Sequence, residues 1–180
     1  MLAHVAQKLV RKPKILQVVT YPSEILDTKS FPLTESISHN EYIQELILDM
    51  KHTLSSLRAI GLAAIQVGVP LKIMVIQDSK LTPITLINPT IKNQDGRQWE
   101  SEGCLSFGGL YLKVKRPAEV EVEYFDEFGK LKTSIFTELL ARAVSHEYQH
   151  LEGKTFLDSL STVERNLARQ KYRKINKMKF

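Results

Sequence analysis

Three residues raise the first chemical question. His146, Glu147 and His150 stand in the run Ser145-His146-Glu147-Tyr148-Gln149-His150, which reads H-E-x-x-H. On a helix, positions i and i+4 share a face, so both imidazoles reach one metal ion. Glu147, beside the first ligand, is placed to take the proton of a water held by that metal. The plainer alternative is two incidental histidines on a solvated helix, in a chain with five His. Two imidazoles with a carboxylate between them, in the body of a strongly predicted helix, favour the metal.

A catalytic metal needs a third protein ligand and an open coordination position. No His follows His150, and Glu152 is too near His150 in sequence to face the same way. The remaining candidates are Glu164 and the single cysteine, Cys104, within Glu102-Gly103-Cys104-Leu105-Ser106. Alone, a free Cys is usually a small buried hydrophobe. Beside H-E-x-x-H, a His2Cys set is the better reading.

The elements that must position these groups are readable in outline. A helix over residues 137–152 carries H-E-x-x-H, with Thr137 as N-cap and Gly153 at C′. An earlier helix opens on the capping box Ser38 and Glu41. It continues through Ile43, Leu46, Ile47, Met50, Leu54 and Leu57 at helical spacing and ends by Gly61. Residues 72–77, 84–88 and 119–124 read as strands, and 126–129 as a turn leading to a returning strand over 130–136. A third helix opens on the capping box Ser161 and Glu164 and sets Val163, Leu167, Ile175 and Met178 against basic residues. This order predicts an α+β fold. Small antiparallel or mixed sheets would pack around the H-E-x-x-H helix, with an N-terminal helix and a basic C-terminal helix.

The sequence resembles the peptide deformylase family. That family carries G-Φ-G-Φ-A-A-x-Q, E-G-C-Φ-S and H-E-x-D-H, where Φ is apolar. This chain has Ala59-Ile60-Gly61-Leu62-Ala63-Ala64-Ile65-Gln66, then Glu102-Gly103-Cys104-Leu105-Ser106, then His146-Glu147-Tyr148-Gln149-His150, in the family's order. Flanking runs are similar too, among them Lys115-Arg116-Pro117 and Leu139-Leu140-Ala141-Arg142-Ala143. The likeness covers about residues 15–160, so one deformylase-like domain over 1–180 is expected, with residues 161–180 as its basic helix.

The resemblance implies a reaction. Such enzymes hydrolyse the formyl group from the N-terminal formyl-methionine of new polypeptides and release formate. Cys104, His146 and His150 would bind one divalent metal, Fe(II) in the cell, though Zn, Ni or Co also suit these ligands. Glu147 would activate the metal's water and pass its proton to the leaving amine. Gln66 and the Leu105 N–H would hold the developing oxyanion. Ile60, Gly61, Leu139 and Ala143 would receive the substrate, with an apolar pocket for the methionine side chain. Ser106 and Tyr111 have no assignable role, and loop or surface packing is their default.

Two departures from the family pattern matter. Ala59 stands where the family has Gly, a strain if that backbone needs φ > 0. Gln149 stands where the family has Asp. We expect the family's Asp to pair with the arginine matching Arg116, and Gln149 to keep a neutral hydrogen bond to it. Two other classes compete with the deformylase reading. A zinc endopeptidase would need a third ligand other than Cys104. A binding module with a degenerate site would rest on Ala59 and Gln149 alone.

Composition bounds the rest. With 180 residues, 43% hydrophobic and 25% charged, the chain has ordinary globular usage. This excludes a disordered chain, a disulfide-stapled miniprotein and a multidomain assembly. The net charge of +5 is unevenly spread. The first fourteen residues carry +4, residues 165–180 carry +7, and the body between them carries −6. A nucleic-acid contact is therefore expected only at the ends, as a ribosome contact through the C-terminal helix. The longest charge-free run near the middle, residues 59–71, falls short of the roughly 20 apolar residues a membrane span needs. No apolar signal region opens the chain, so the expected location is the cytoplasm, or an organelle that starts translation with formyl-methionine.

Overall fold

The five residues Ile73–Gln77 show how the chain builds its layers. All five are buried, and their side chains alternate between two different hydrophobic clusters. Ile73 and Val75 face one cluster, Met74 and Ile76 the other. Successive strand residues point to opposite faces, so an unbroken apolar run marks a strand covered on both sides.

The structure, a computed structural model, describes residues 11–34, 36–37, 39–78, 80 and 82–177. Its main sheet holds β1 (Gly61–Ala63), β2 (Ile73–Gln77), β3 (Pro83–Asp95), β6 (Glu119–Phe125) and β7 (Leu131–Thr137), in the order β1-β2-β3-β6-β7. A separate hairpin pairs β4 (Gln98–Gly103) with β5 (Tyr111–Arg116). Every pairing within both sheets is antiparallel. With helices α1 (Glu41–Ser56), α2 (Glu138–Leu151) and α3 (Thr162–Lys177), the fold is α+β, as the order of elements predicts.

α1 lays Ile43, Leu46, Ile47, Met50 and Leu54 on one face of β1–β3. α2 lays Ala141, Ala143, Val144 and Leu151 on the other, against Val120, Val122 and Phe136. On β6, Val120 and Val122 are buried whereas Glu119, Glu121 and Glu123 are only half-buried on the opposite face. That alternation is the one the sequence shows.

The helices differ from expectation in three places, two at their ends and one on a face. α1 starts one residue after Asn40, whose side chain accepts from the Ile43 N–H at 3.2 Å. Ser38, the expected cap, lies outside the described residues. Thr137 holds the N-cap position of α2, yet its hydroxyl makes no capping bond. On α3 the expected apolar face is met only in part: Val163 and Leu167 are exposed, whereas Ile175 is partly buried beside the buried Ala168 and Tyr172. Met178 lies outside the described residues. The Ser161 and Glu164 box is formed, with Ser161 N–H donating to Glu164 at 2.9 Å and Glu164 N–H to Ser161 Oγ at 3.3 Å.

The inward face of α3 completes a third cluster with Phe107, Phe156 and Leu157. Tyr172 donates from its hydroxyl to the Tyr21 carbonyl at 2.7 Å. α2 ends in a Schellman motif, in which Gly153 N–H bonds His150 O and Lys154 N–H bonds Gln149 O. Gly153 has φ +69°, and a Cβ there would meet the Asp27 and Lys29 backbone at 2.7–2.9 Å. Among the described residues no helix is long and apolar enough to cross a membrane.

Candidate active site

α2 delivers His146, Glu147 and His150 into the interior from one helix turn, all three buried. Cys104 comes from the end of the β4–β5 hairpin, where Gly103 pairs with Tyr111 and Cys104 starts the turn Leu105–Phe107. Ligand atoms of Cys104, His146 and His150 lie within 4.8 Å of one another. Cys104 Sγ and His150 Nε2 are 3.3 Å apart. Tetrahedral bonds of roughly 2.0 Å to nitrogen and 2.3 Å to sulfur would separate such atoms by about 3.5 Å. The cluster is therefore the size of a metal site, and its sulfur and nitrogen donors suit a borderline-soft divalent ion.

The other third-ligand candidates sit elsewhere. Glu164 caps α3 on the surface. Glu152 pairs with Lys29 at 2.6 Å and Lys72 at 2.9 Å.

Behind the imidazoles lies a buried ionic network. Glu102 accepts from Arg116 Nη2 at 2.6 Å and from Arg142 Nη1 at 3.2 Å, and contacts His146 Nδ1 at 3.2 Å. Burial alone would raise the Glu102 carboxyl, but His146 and Arg116 bring it down to about 2. Burial alone would lower His146, but Cys104, Glu102 and Glu147 lift it to about 10. With a metal ion on Nε2, the Glu102 carboxylate would hold the remaining imidazole proton on Nδ1. His150 is shifted the other way, well down, by burial and by the charges of His146 and Arg116. Arg116 also donates to Gln149 Oε1 at 2.9 Å, the neutral hydrogen bond expected from the sequence.

Burial raises the Glu147 carboxyl to about 7, and the Glu102 charge adds to that rise against the opposing pull of His146. Glu147 Oε2 is buried and has no hydrogen-bond partner among the described residues. Such an orphan is costly, and a carboxyl poised near neutrality is suited to proton transfer. Gln66 is buried and aimed: Ala63 N–H donates to its Oε1 at 2.8 Å. Its amide nitrogen thereby points at Cys104 Sγ, 3.5 Å away, and at Ser106 Oγ, 3.3 Å away.

These groups face a cleft of about 470 Å³, also lined by Ile60, Gly61, Leu105, Leu139 and Ala143. Of the residues expected at the site, His150 alone stands behind the cleft wall, at 1% exposure. Ala59 lines the cleft without strain, because the positive φ of this turn falls on Arg58, at 51°.

Sequence reasoning missed Ser106, which is fully buried and helps hold Gln66. It also missed Tyr111, which packs on Gly103 in the cleft wall. Arg142, which braces Glu102, was quoted in sequence but given no role. Its position four residues before His146 was the available signal, since i and i+4 share a helix face.

A helix that sends two imidazoles and a carboxylate toward a cysteine, under an open cleft, defines a metal-dependent hydrolase. Comparison with known proteins narrows the class. The sequence profile of the polypeptide deformylase family matches residues 15–166. The peptide deformylase of Nitrosococcus oceani is 39% identical over 162 residues, covering 89% of this chain and 95% of that one. That of Helicobacter pylori strain Shi470 is 36% identical over 170 residues, covering 91% and 95%. The crystal structure of a peptide deformylase from Legionella pneumophila superposes with a TM-score of 0.84 at 37% identity, over 92% of this chain and 97% of that one. One from Synechococcus elongatus, in complex with actinonin, gives 0.80 at 37%, over 93% and 91%. The chain belongs to the polypeptide deformylase family.

Proposed function

We propose that this chain removes the formyl group from the N-terminal formyl-methionine of nascent polypeptides and releases formate. The observation that carries the reading is the convergence of Cys104, His146 and His150 beside a cleft that Glu147 and Gln66 also line. The reading treats residues 1–180 as one deformylase-like domain acting in the cytoplasm, with the H-E-x-x-H helix at its centre.

Cys104, His146 and His150 hold one divalent ion in this scheme, Fe(II) in the cell, with Zn, Ni and Co compatible with the same donors. When bound, the ion supplies Lewis acidity to the formyl carbonyl and to water. Glu147 accepts the proton of the attacking water and returns it to the amine nitrogen as the carbon–nitrogen bond breaks. Its raised pKa and unpaired oxygen support that role. The Gln66 amide and the Leu105 N–H donate to the oxygen that gains charge. The Ala63 bond that fixes Gln66 spares it a reorientation during the reaction. Ile60, Leu139 and Ala143 receive the methionine side chain, and Gly61 lets the peptide backbone lie close. The exposed cations of α3, among them Lys171, Arg173 and Lys174, contact ribosomal RNA.

The test is formate release from a formyl-methionyl peptide by anaerobically prepared protein, repeated with Cys104→Ser and Glu147→Gln. Both variants should lose turnover by at least about 10²-fold. Wild-type turnover in both would overturn the mechanism. Cleavage of internal peptide bonds without formate release would favour an endopeptidase instead.

A further inference from the structure

The mouth of the cleft carries charge that the reaction does not use. Arg58 lines it and is exposed, and its guanidinium has no hydrogen-bond or ion-pair partner among the described residues. The other charged groups of the lining are committed deeper in, Glu102 to Arg116 and Arg142, and Glu147 beside the metal ligands. Elsewhere in the lining, Ser101 pairs across the hairpin with Lys113. Side chains directly opposite on an antiparallel pair share a face, so exposed Lys113 stands beside Ser101. It too has no ion-pair partner among the described residues.

The backbone at Arg58 is unusual. α1 ends in a Schellman motif in which Arg58 N–H bonds Ser55 O and Ala59 N–H bonds Leu54 O, each at 3.1 Å. Arg58 therefore occupies C′, the left-handed position that Gly fills at the end of α2. An arginine is strained there. A strained backbone carrying an exposed charge at a cleft mouth points to a function for that residue.

We propose that Arg58, seconded by Lys113, selects substrates with an acidic side chain in the second to fourth residue, just after the N-terminal methionine. The reach follows from chain geometry. Gly61 lies against Glu147 and stands three positions after Arg58, a backbone span of at most about 10 Å. An extended peptide advances about 3.3 Å per residue, so within about three residues of the reacting end it comes level with Arg58, whose long side chain reaches the neighbouring positions. The proposal rests on the deformylase reading.

The experiment compares formyl-Met pentapeptides that are identical except for Asp or Asn at position two, three or four. All are C-terminally amidated, so the chain-end carboxylate is removed as a competing anion. At about 0.01 M salt, Asp should exceed Asn in kcat/KM by about two- to fivefold at one position, the strength of an exposed ion pair. The difference should lie in KM, as expected for uniform binding. It should vanish near 1 M salt, where the screening length is about 3 Å. Arg58→Gln should at least halve the ratio, Arg58→Gln with Lys113→Gln should bring it to one, and Arg58→Glu should invert it. Arg58→Gly should flatten the ratio without lowering Tm, because Gly relieves the left-handed strain, which separates lost selectivity from lost folding. A ratio of one in the wild type at all three positions, or one unchanged by Arg58→Gln, would overturn the proposal while leaving the deformylase reading intact. No formate from any peptide with metal-loaded protein would overturn both.

Discussion

Arg116 donates from one edge of its guanidinium to Gln149, at 2.9 Å, and from the other to Glu102, at 2.6 Å. Gln149 in turn donates to Ser159 at 3.1 Å. Glu102 contacts His146, so a single arginine connects the residue that departs from the family pattern to an imidazole of the metal cluster. A carboxylate in place of Gln149 would turn the Arg116 bond to an amide oxygen into an ion pair. It would forgo the Ser159 bond. Gln149→Asp should therefore leave kcat/KM equal or better, with at most a small change in Tm. A loss beyond about tenfold would show that this chain depends on the neutral group.

Glu102 is the counter-charge for two buried arginines and the partner of His146 Nδ1. Glu102→Gln strands those arginines, and breaking a buried pair from one side costs about 3–5 kcal/mol. It also frees His146 to rotate, which for such supporting groups weakens metal binding about 10–100-fold. Denaturant titration and metal competition with a chelator should each show their part of the loss. Full metal affinity in a destabilised variant would mean that Glu102 serves folding alone.

The site was legible where chemistry and periodicity agreed. His146 and His150 lie on a helix whose apolar spacing was readable, and Cys104 was the only thiol. The β4–β5 hairpin was not legible. On β4 the outward positions Trp99, Ser101 and Gly103 are exposed and the one buried position is the acid Glu102, while β5 buries the cation Arg116 beside Val114. That reverses the pattern by which strands are recognised. An acid is buried only when paired, and the arginines that pair it lie 14 and 40 residues away. On α3, hydrophobicity pointed to Val163 and Leu167, whereas the aromatic cluster of Tyr21, Phe107 and Phe156 selects the smaller Ala168 and the phenol of Tyr172.

The acid limb of stability should run through Asp49. Burial would raise this carboxyl, but two Arg11 bonds at 2.6 and 3.0 Å and the Lys14 N–H at 2.7 Å hold it below its usual value. A depressed folded-state pKa contributes stability above the unfolded value, near 3.9, and loses it as pH falls through the folded value. The anchoring of the Arg11 segment onto α1 should thus hold at neutral pH and fail below about pH 4. Asp49→Asn should lower Tm at pH 7 and flatten its fall between about pH 5 and 2. A variant with the wild-type acid slope would place that slope elsewhere.

Tyr172 ties α3 to the layer behind the metal cluster. Its ring lies edge-on to Tyr21 and Phe107, each 5.5 Å between centroids, and its hydroxyl bonds the Tyr21 carbonyl. Phe107 packs on Phe156, whose ring meets His146 edge-on at 5.8 Å. Tyr172→Phe removes one hydrogen bond and should cost about 1 kcal/mol. Tyr172→Ala empties an aromatic site and should cost about 3–5 kcal/mol. If the cluster also steadies His146, Tyr172→Ala but not Tyr172→Phe should speed metal loss to a chelator under folding conditions. Equal metal retention in both would confine Tyr172 to holding the helix in place.

Gly61 is where the chain's backbone meets Glu147, the proposed proton carrier. A Cβ built there would lie 2.7 Å from Glu147 Cγ and 2.8 Å from its Cδ, closer than carbon atoms approach. Gly61 is paired with Ile76 in β1, so the backbone cannot retreat without breaking the sheet. Glu147 must move instead, from its buried position in the cleft lining. Gly61→Ala should therefore keep most of the fold while displacing the carboxylate. A misplacement of about 1 Å in a catalytic group is enough to cost about 10²-fold. The loss should appear in kcat, with the metal content of the purified protein unchanged, since the nearest atoms to the new methyl all belong to Glu147. A Gly61→Ala variant with normal kcat would show that Glu147 works from more than one position.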